Sequence, residues 1–183
     1  MDKEQPLQKD SRLRHKMKED VHRVYELPKA GKKIDLKLCS DLSIKKLRAK
    51  LNLAENCSAF VNVIELEEKV KSMEDPKVWV KAAIMLVIHN VLCPTNSSLL
   101  CLQYAHILED PSGVTSYNWC SHILEHIKEG IASSRVVNPT IDFHFLMINY
   151  MEKMGMESPF LTGKYKRPSL RDWDVTKANQ LLA

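Results

Sequence analysis

The sequence predicts an all-α fold: a single compact helical domain of about seven or eight helices with a basic N-terminal helical arm. Three observations predict it. Apolar residues recur at helical spacing in most segments, with no convincing period-two alternation to compete. Only five glycines and eight prolines punctuate 183 residues, too few for a turn-rich β fold. One stretch, Asp75 to Pro94, carries its own start and stop signals. The Asp75 carboxylate can accept from free amides of a first helical turn, and Pro76 suits the first helical position, where its missing N–H costs nothing. Pro94 ends the helix, because it offers no amide and disfavours helical geometry at Cys93. Between them, Ala82 to Cys93 has only His89 and Asn90 as polar members, so the stretch reads as a central buried helix. Its uncharged run is shorter than the roughly 20 residues of a membrane span, and no span is expected.

The other elements follow in order. Residues 1–11 are polar and expected to lack fixed structure. Arg12 to Leu27 places Leu13, Met17, Val21, Val24 and Tyr25 on one amphipathic stripe. Pro28 to Lys33, with Gly31, breaks it, and this break divides a basic arm, 1–33, from a helical body, 34–183. Leu42 to Leu53 is a second helix with Leu47 and Leu51 on one face, capped near Ser40 or Asp41. Ser58 caps a third, which carries Phe60, Val61, Ile64 and Leu66. The central helix comes next, then a short helix from about Ser98 to Leu108. Glu109 to Gly113 is a turn. Thr115 or Ser116 caps a helix with the stripe Trp119, Ile123, Ile127 and Ile131. Thr140 to Met154 is helical with Phe143, Leu146, Met147 and Tyr150 inward, closed by Gly155. Ser169 caps a last helix through Trp173. The expected core is Trp79, Ala83, Leu86, Val87, Trp119, Ile123, Ile127, Phe143 and Leu146.

Charge is uneven along the chain. Residues 1–50 hold 15 Lys and Arg against 8 Asp and Glu, whereas residues 51–130 hold 5 against 10. A basic arm therefore precedes an acidic body. The arm's Arg12, Arg14, Lys16, Lys18 and Arg23 are the candidate partner-binding residues, suited to an acidic protein or to nucleic acid. The five cysteines, Cys39, Cys57, Cys93, Cys101 and Cys120, are odd in number and include no C-x-x-C pair. Reduced thiols in a nuclear or cytoplasmic protein fit better than a disulfide framework. The acidic, apolar-poor N-terminus has no signal-peptide pattern, so secretion is not expected.

Little in the chain points to catalysis. His122-Ile123-Leu124-Glu125-His126 matches the H-x-x-E-H string of inverted zincins, in which two histidines one turn apart bind zinc and the glutamate acts as base. The apolar stripe through Trp119, Ile123 and Ile127 faces the core and leaves both histidines on its flank. A third ligand would have to come from Glu152 or Glu157. Phosphate-cradling glycine loops, dinucleotide fingerprints and nucleophile elbows are absent from the sequence. The reading is a non-enzyme without catalytic residues, metal ligands or cofactors, and a zinc hydrolase on His122 and His126 is the remote alternative. The basic runs Lys45-Lys46-Leu47-Arg48 and Lys164-Tyr165-Lys166-Arg167 can meet phosphates, but no nucleic-acid motif surrounds them.

The order of several short blocks carries a family resemblance. Leu92-Cys93-Pro94-Thr95-Asn96 is followed by Tyr104, Ile107-Leu108-Glu109-Asp110, Tyr117-Asn118-Trp119-Cys120, Glu129-Gly130-Ile131, and Phe145-Leu146 with Tyr150. Over roughly residues 40–175 this order resembles the plant mobile domain, a transposon-derived helical domain with relatives fused to SUMO-protease-like domains. The resemblance implies a plant, transposon-related, nuclear or cytoplasmic module without established catalysis. The protease-like domain and zinc knuckle of larger members are missing here. The expected function is a protein-interaction module of mobile-element origin, recruited as a regulator or as one half of a selfish toxin and antidote pair, binding another protein through a helical groove or its basic arm. Nucleic-acid association through the arm is the alternative.

Overall fold

The computed structural model describes residues 6–54, 58–95, 97–133, 145, 146, 148 and 149, with side chains from residue 15 onward apart from 111, 112 and 133. It corrects the all-α expectation of seven or eight helices. Among the described residues there are five α-helices and a small two-stranded antiparallel sheet, a mostly helical fold. The helices are α1 (Pro6–Tyr25), α2 (Asp41–Lys50), α3 (Val63–Lys71), α4 (Pro76–Val87) and α5 (Trp119–Ser133), and the strands are β1 (Phe60–Asn62) and β2 (Leu99–Cys101). Short 3₁₀ turns lie at Leu36–Leu38, Leu102–His106 and Pro111–Ser116. The expected last helix lies outside the described residues, as does Phe143.

Local hydrogen bonding explains the departures. Ser58 does not cap a helix; its hydroxyl accepts from the Phe60 amide at 3.2 Å. Asn62 caps instead, its side-chain oxygen accepting from the Ile64 amide, so α3 starts at Val63 and the three residues before it stay extended. They pair with β2 in the register Phe60 to Cys101, Val61 to Leu100 and Asn62 to Leu99. Val61 and Leu100 face the core while Phe60 and Leu99 are exposed. Three residues are too few for alternation to stand out from a helical pattern, and that is why both strands read as helix. The expected helix from Ser98 to Leu108 is thus β2 followed by a 3₁₀ turn.

The central stretch starts as expected. The Asp75 carboxylate accepts from the Lys77 amide at 2.9 Å, with Pro76 at the first helical position. It ends differently. After Val87 the chain widens into a π-turn, Ile88–Leu92, closed by Cys93 N–H donating to the Ile88 carbonyl at 2.7 Å. The widening turns His89 inward, where burial lowers its pKa and a bond to the Ser97 backbone opposes the shift.

One core joins these elements. Val21 and Val24 of α1 pack with Trp119, Ile123 and Ile127 of α5, and Leu47, Leu66, Met85, Leu100 and Phe145 extend the cluster. The stretch expected as a break between arm and body is hydrogen-bonded to the body. Lys32 donates to the Ser116 carbonyl, Asn118 donates to the Lys32 carbonyl, and Cys120 donates to the Pro28 carbonyl. Gly31 makes this crossing possible. Its φ is +121°, and a Cβ there would stand 2.2 Å from the Ser116 oxygen.

Candidate protein-interaction site

The central helix is apolar on more faces than the fold covers. Ala82 and Met85 of α4 lie in the core, together with Ile88 and Leu92 of the π-turn and the stem of Lys81. A face rotated away from these holds Trp79, Val80, Ala83, Ile84 and Val87, and it opens to solvent. Trp79 is 45%, Val80 37% and Val87 48% exposed. Trp79, Leu86, Val87 and Ala83 were expected in the core, and none of them is fully buried. The expectation failed because a helix apolar all round gives no sequence signal for which face the neighbours cover.

The exposed face is the floor of a groove of about 360 Å³. Leu27, two residues past the end of α1, forms one wall, and Val114 and Trp119 form another. The lining is almost wholly apolar. Trp119 is itself buried and fixed, its indole N–H donating to the Val114 carbonyl at 2.8 Å, so this wall is rigid. Trp79, Val80 and Val87 share this face, so they form one contiguous apolar surface and not singly scattered exposed residues.

The candidate basic residues of the arm whose side chains are described, Lys16, Lys18 and Arg23, sit in different settings. Arg12 and Arg14 lie within α1, their side chains outside the described set. Lys16 is exposed and Lys18 half-buried. Arg23 is half-buried, its guanidinium donating to Asp20 at 3.2 Å and to the Asn149 side chain at 2.8 Å. Arg23 therefore ties α1 to the segment after α5. Helical spacing sets Lys16 and Arg23 on one face of α1, and Lys18 on another.

The H-x-x-E-H histidines both lie on α5 with engaged rings. His122 Nε2 meets the Tyr104 hydroxyl at 2.8 Å, and His126 Nε2 donates to the Pro94 carbonyl at 3.0 Å. Burial, with a smaller contribution from His126, pushes the His122 pKa down to about 4. Burial pushes the Tyr104 hydroxyl up. The pair is neutral near pH 7 and stacks with Trp119, ring to ring at 6.3 Å for Tyr104 and edge-on at 6.2 Å for His122. Glu125 is exposed. Among the described residues, no three His, Cys, Asp or Glu side chains are placed to share a metal ion, and no helix is long and apolar enough to cross a membrane.

A family model described as a domain of unknown function, DUF8566, matches residues 7–140. No curated protein and no solved structure matches the chain.

Proposed function

We propose, from the premise that this chain belongs to the DUF8566 family, that it is a non-enzymatic protein-interaction module whose α4 groove receives an apolar segment of another protein. The observation that carries this reading is the second apolar face of α4, with Trp79, Val80 and Val87 open to water. A monomer gains nothing by leaving a Trp and two Val side chains half exposed in one groove, each such side chain costing roughly 1–2 kcal/mol of unrealised burial. An amphipathic helix with anchors at i, i+3 or i+4, and i+7 suits a groove built along a helix. The free thiols of Cys39, Cys93, Cys101 and Cys120 support a nuclear or cytoplasmic setting. The mobile-element ancestry, with its regulator or selfish-pair roles, rests on the order of residue blocks in 40–175.

The test compares proteins retained from native tissue by the wild-type chain and by Val87→Asp, with circular dichroism to show that both are folded. The reading expects a partner retained by wild type and lost by Val87→Asp. An identical retained set would contradict it. The alternative reading, nucleic-acid association through residues 1–50, draws on their excess of basic residues. A salt titration against DNA and RNA separates the two, since phosphate-driven binding weakens steeply as salt rises.

A further inference from the structure

We infer that the pocket between α2, α4 and the Leu102–His106 turn binds a phosphate dianion, held by Lys81 in its wall and by Lys46 and Lys50 at its rim. The inference is independent of the groove, which opens on another face of α4.

Helical spacing builds the site. Ser43, Lys46 and Lys50 stand at i, i+3 and i+7 of α2 and so share one face. That helix packs against the Leu102–His106 turn, and Leu47, Ala105 and Leu108 supply the apolar side of a pocket of about 210 Å³. Lys81 reaches in from α4. It is 7% exposed, and among the described residues its ammonium has one acceptor, the Glu109 carbonyl at 3.1 Å. An ammonium carries three donors, so among the described residues two are left without a protein acceptor. The stem of Lys81 is packed in the core, while its charged end lines the pocket, where an anion can reach it.

The charges around the pocket point to an anion. Lys46, Lys50 and Lys81 face a single lining carboxylate, Glu109, leaving an excess of two positive charges. Glu109 Oε1 is already engaged by the Ser43 hydroxyl at 3.0 Å. Burial, and then repulsion from Lys50, holds the Lys81 pKa below the ordinary lysine range, against weaker opposite pulls from Glu109, Asp110 and Asp75. An anion seated between Lys50 and Lys81 would relieve the repulsion and accept the spare donors together. A dianion matches the excess charge, and lysine serves phosphate well as a point charge. The phosphate can be free or carried as the ester of a small molecule.

The test titrates the full chain with inorganic phosphate and, in a second arm, with glycerol phosphate, at low and constant ionic strength, following binding heat and melting temperature. Saturable binding is expected in wild type, weakened about tenfold in Lys81→Met, as for the loss of one charge-assisted bond. Lys50→Met should weaken it too, and since Lys50 is exposed, this variant decides the matter if Lys81→Met does not fold. Lys77→Met, an exposed α4 lysine outside the pocket, should bind as wild type does. Tighter binding of glycerol phosphate assigns an ester, and equal or tighter binding of inorganic phosphate assigns the free ion. Failure of both arms to saturate, or phosphate binding by Lys50→Met indistinguishable from that of wild type, would overturn the inference.

Discussion

Trp119, buried, and His122, partly buried, are neighbours on α5 that meet their polar needs by different routes. Trp119 fills the core and satisfies its one donor at Val114. Trp119→Ala should cost about 3–5 kcal/mol, the range for truncating a buried aromatic. A urea titration that loses less than about 1 kcal/mol would contradict a buried Trp119. His122 instead contributes through a proton it does not bind. Its folded pKa of about 4 lies below the 6.5 of an unperturbed histidine. As pH falls, the unfolded chain takes up that proton first. The stability tied to His122 is therefore complete above about pH 6.5, declines as pH drops, and levels off below about 4, an effect on the order of 3 kcal/mol. His122→Phe should show a shallower loss of stability across that window than wild type. Parallel curves for the two proteins would mean that His122 is not held neutral by its surroundings. The burial of Trp119, Ile123 and Ile127 was legible because a polar flank on α5 fixes which stripe turns inward; Ile131, read as the stripe's last member, is instead 49% exposed near the end of the helix. The inward turn of His89 was not, because it follows from a π-turn that no residue type announces.

Among the elements, α4 was legible at its start and illegible in its orientation. Asp75 and Pro76 are side-chain signals, and they act as such. The buried face depends on where α3, α5 and the end of α1 come to rest, which the apolar pattern of α4 does not encode. The strands were hidden for another reason. Asn62 is an ordinary cap, but the sequence offers Ser58 as an equal candidate, and only the pairing with β2 decides between them. The crossing at Gly31 is an element-level device, since it sets α1 against the start of α5. Gly31→Ala combines an unfavourable φ with a Cβ inside the Ser116 oxygen, and it should cost at least about 1–3 kcal/mol. A thermal melt matching wild type would show that the crossing is not held as described.

For the molecule as a whole, the sequence divides a basic arm from a body at residue 33, and the matched family region, 7–140, runs across that division. Val21, Val24 and Tyr25 belong to the same core as α5. Deletion of residues 1–33 is therefore expected to abolish a cooperative melt, because it uncovers the α5 face and removes the Lys32 and Pro28 bonds. A truncated chain that melts as wild type does would establish the arm as a separable binding element. The candidate groove, by contrast, was not legible at all. It consists of residues that composition assigns to a core, and their exposure emerges only when the whole chain is assembled. The claim that this face awaits a partner is tested most directly by thiol labelling of Val87→Cys, with Cys120 as the buried reference. The account predicts rapid labelling of the free chain and protection once the retained partner is added. Labelling of the free chain as slow as at Cys120, or no protection by the partner, would contradict it.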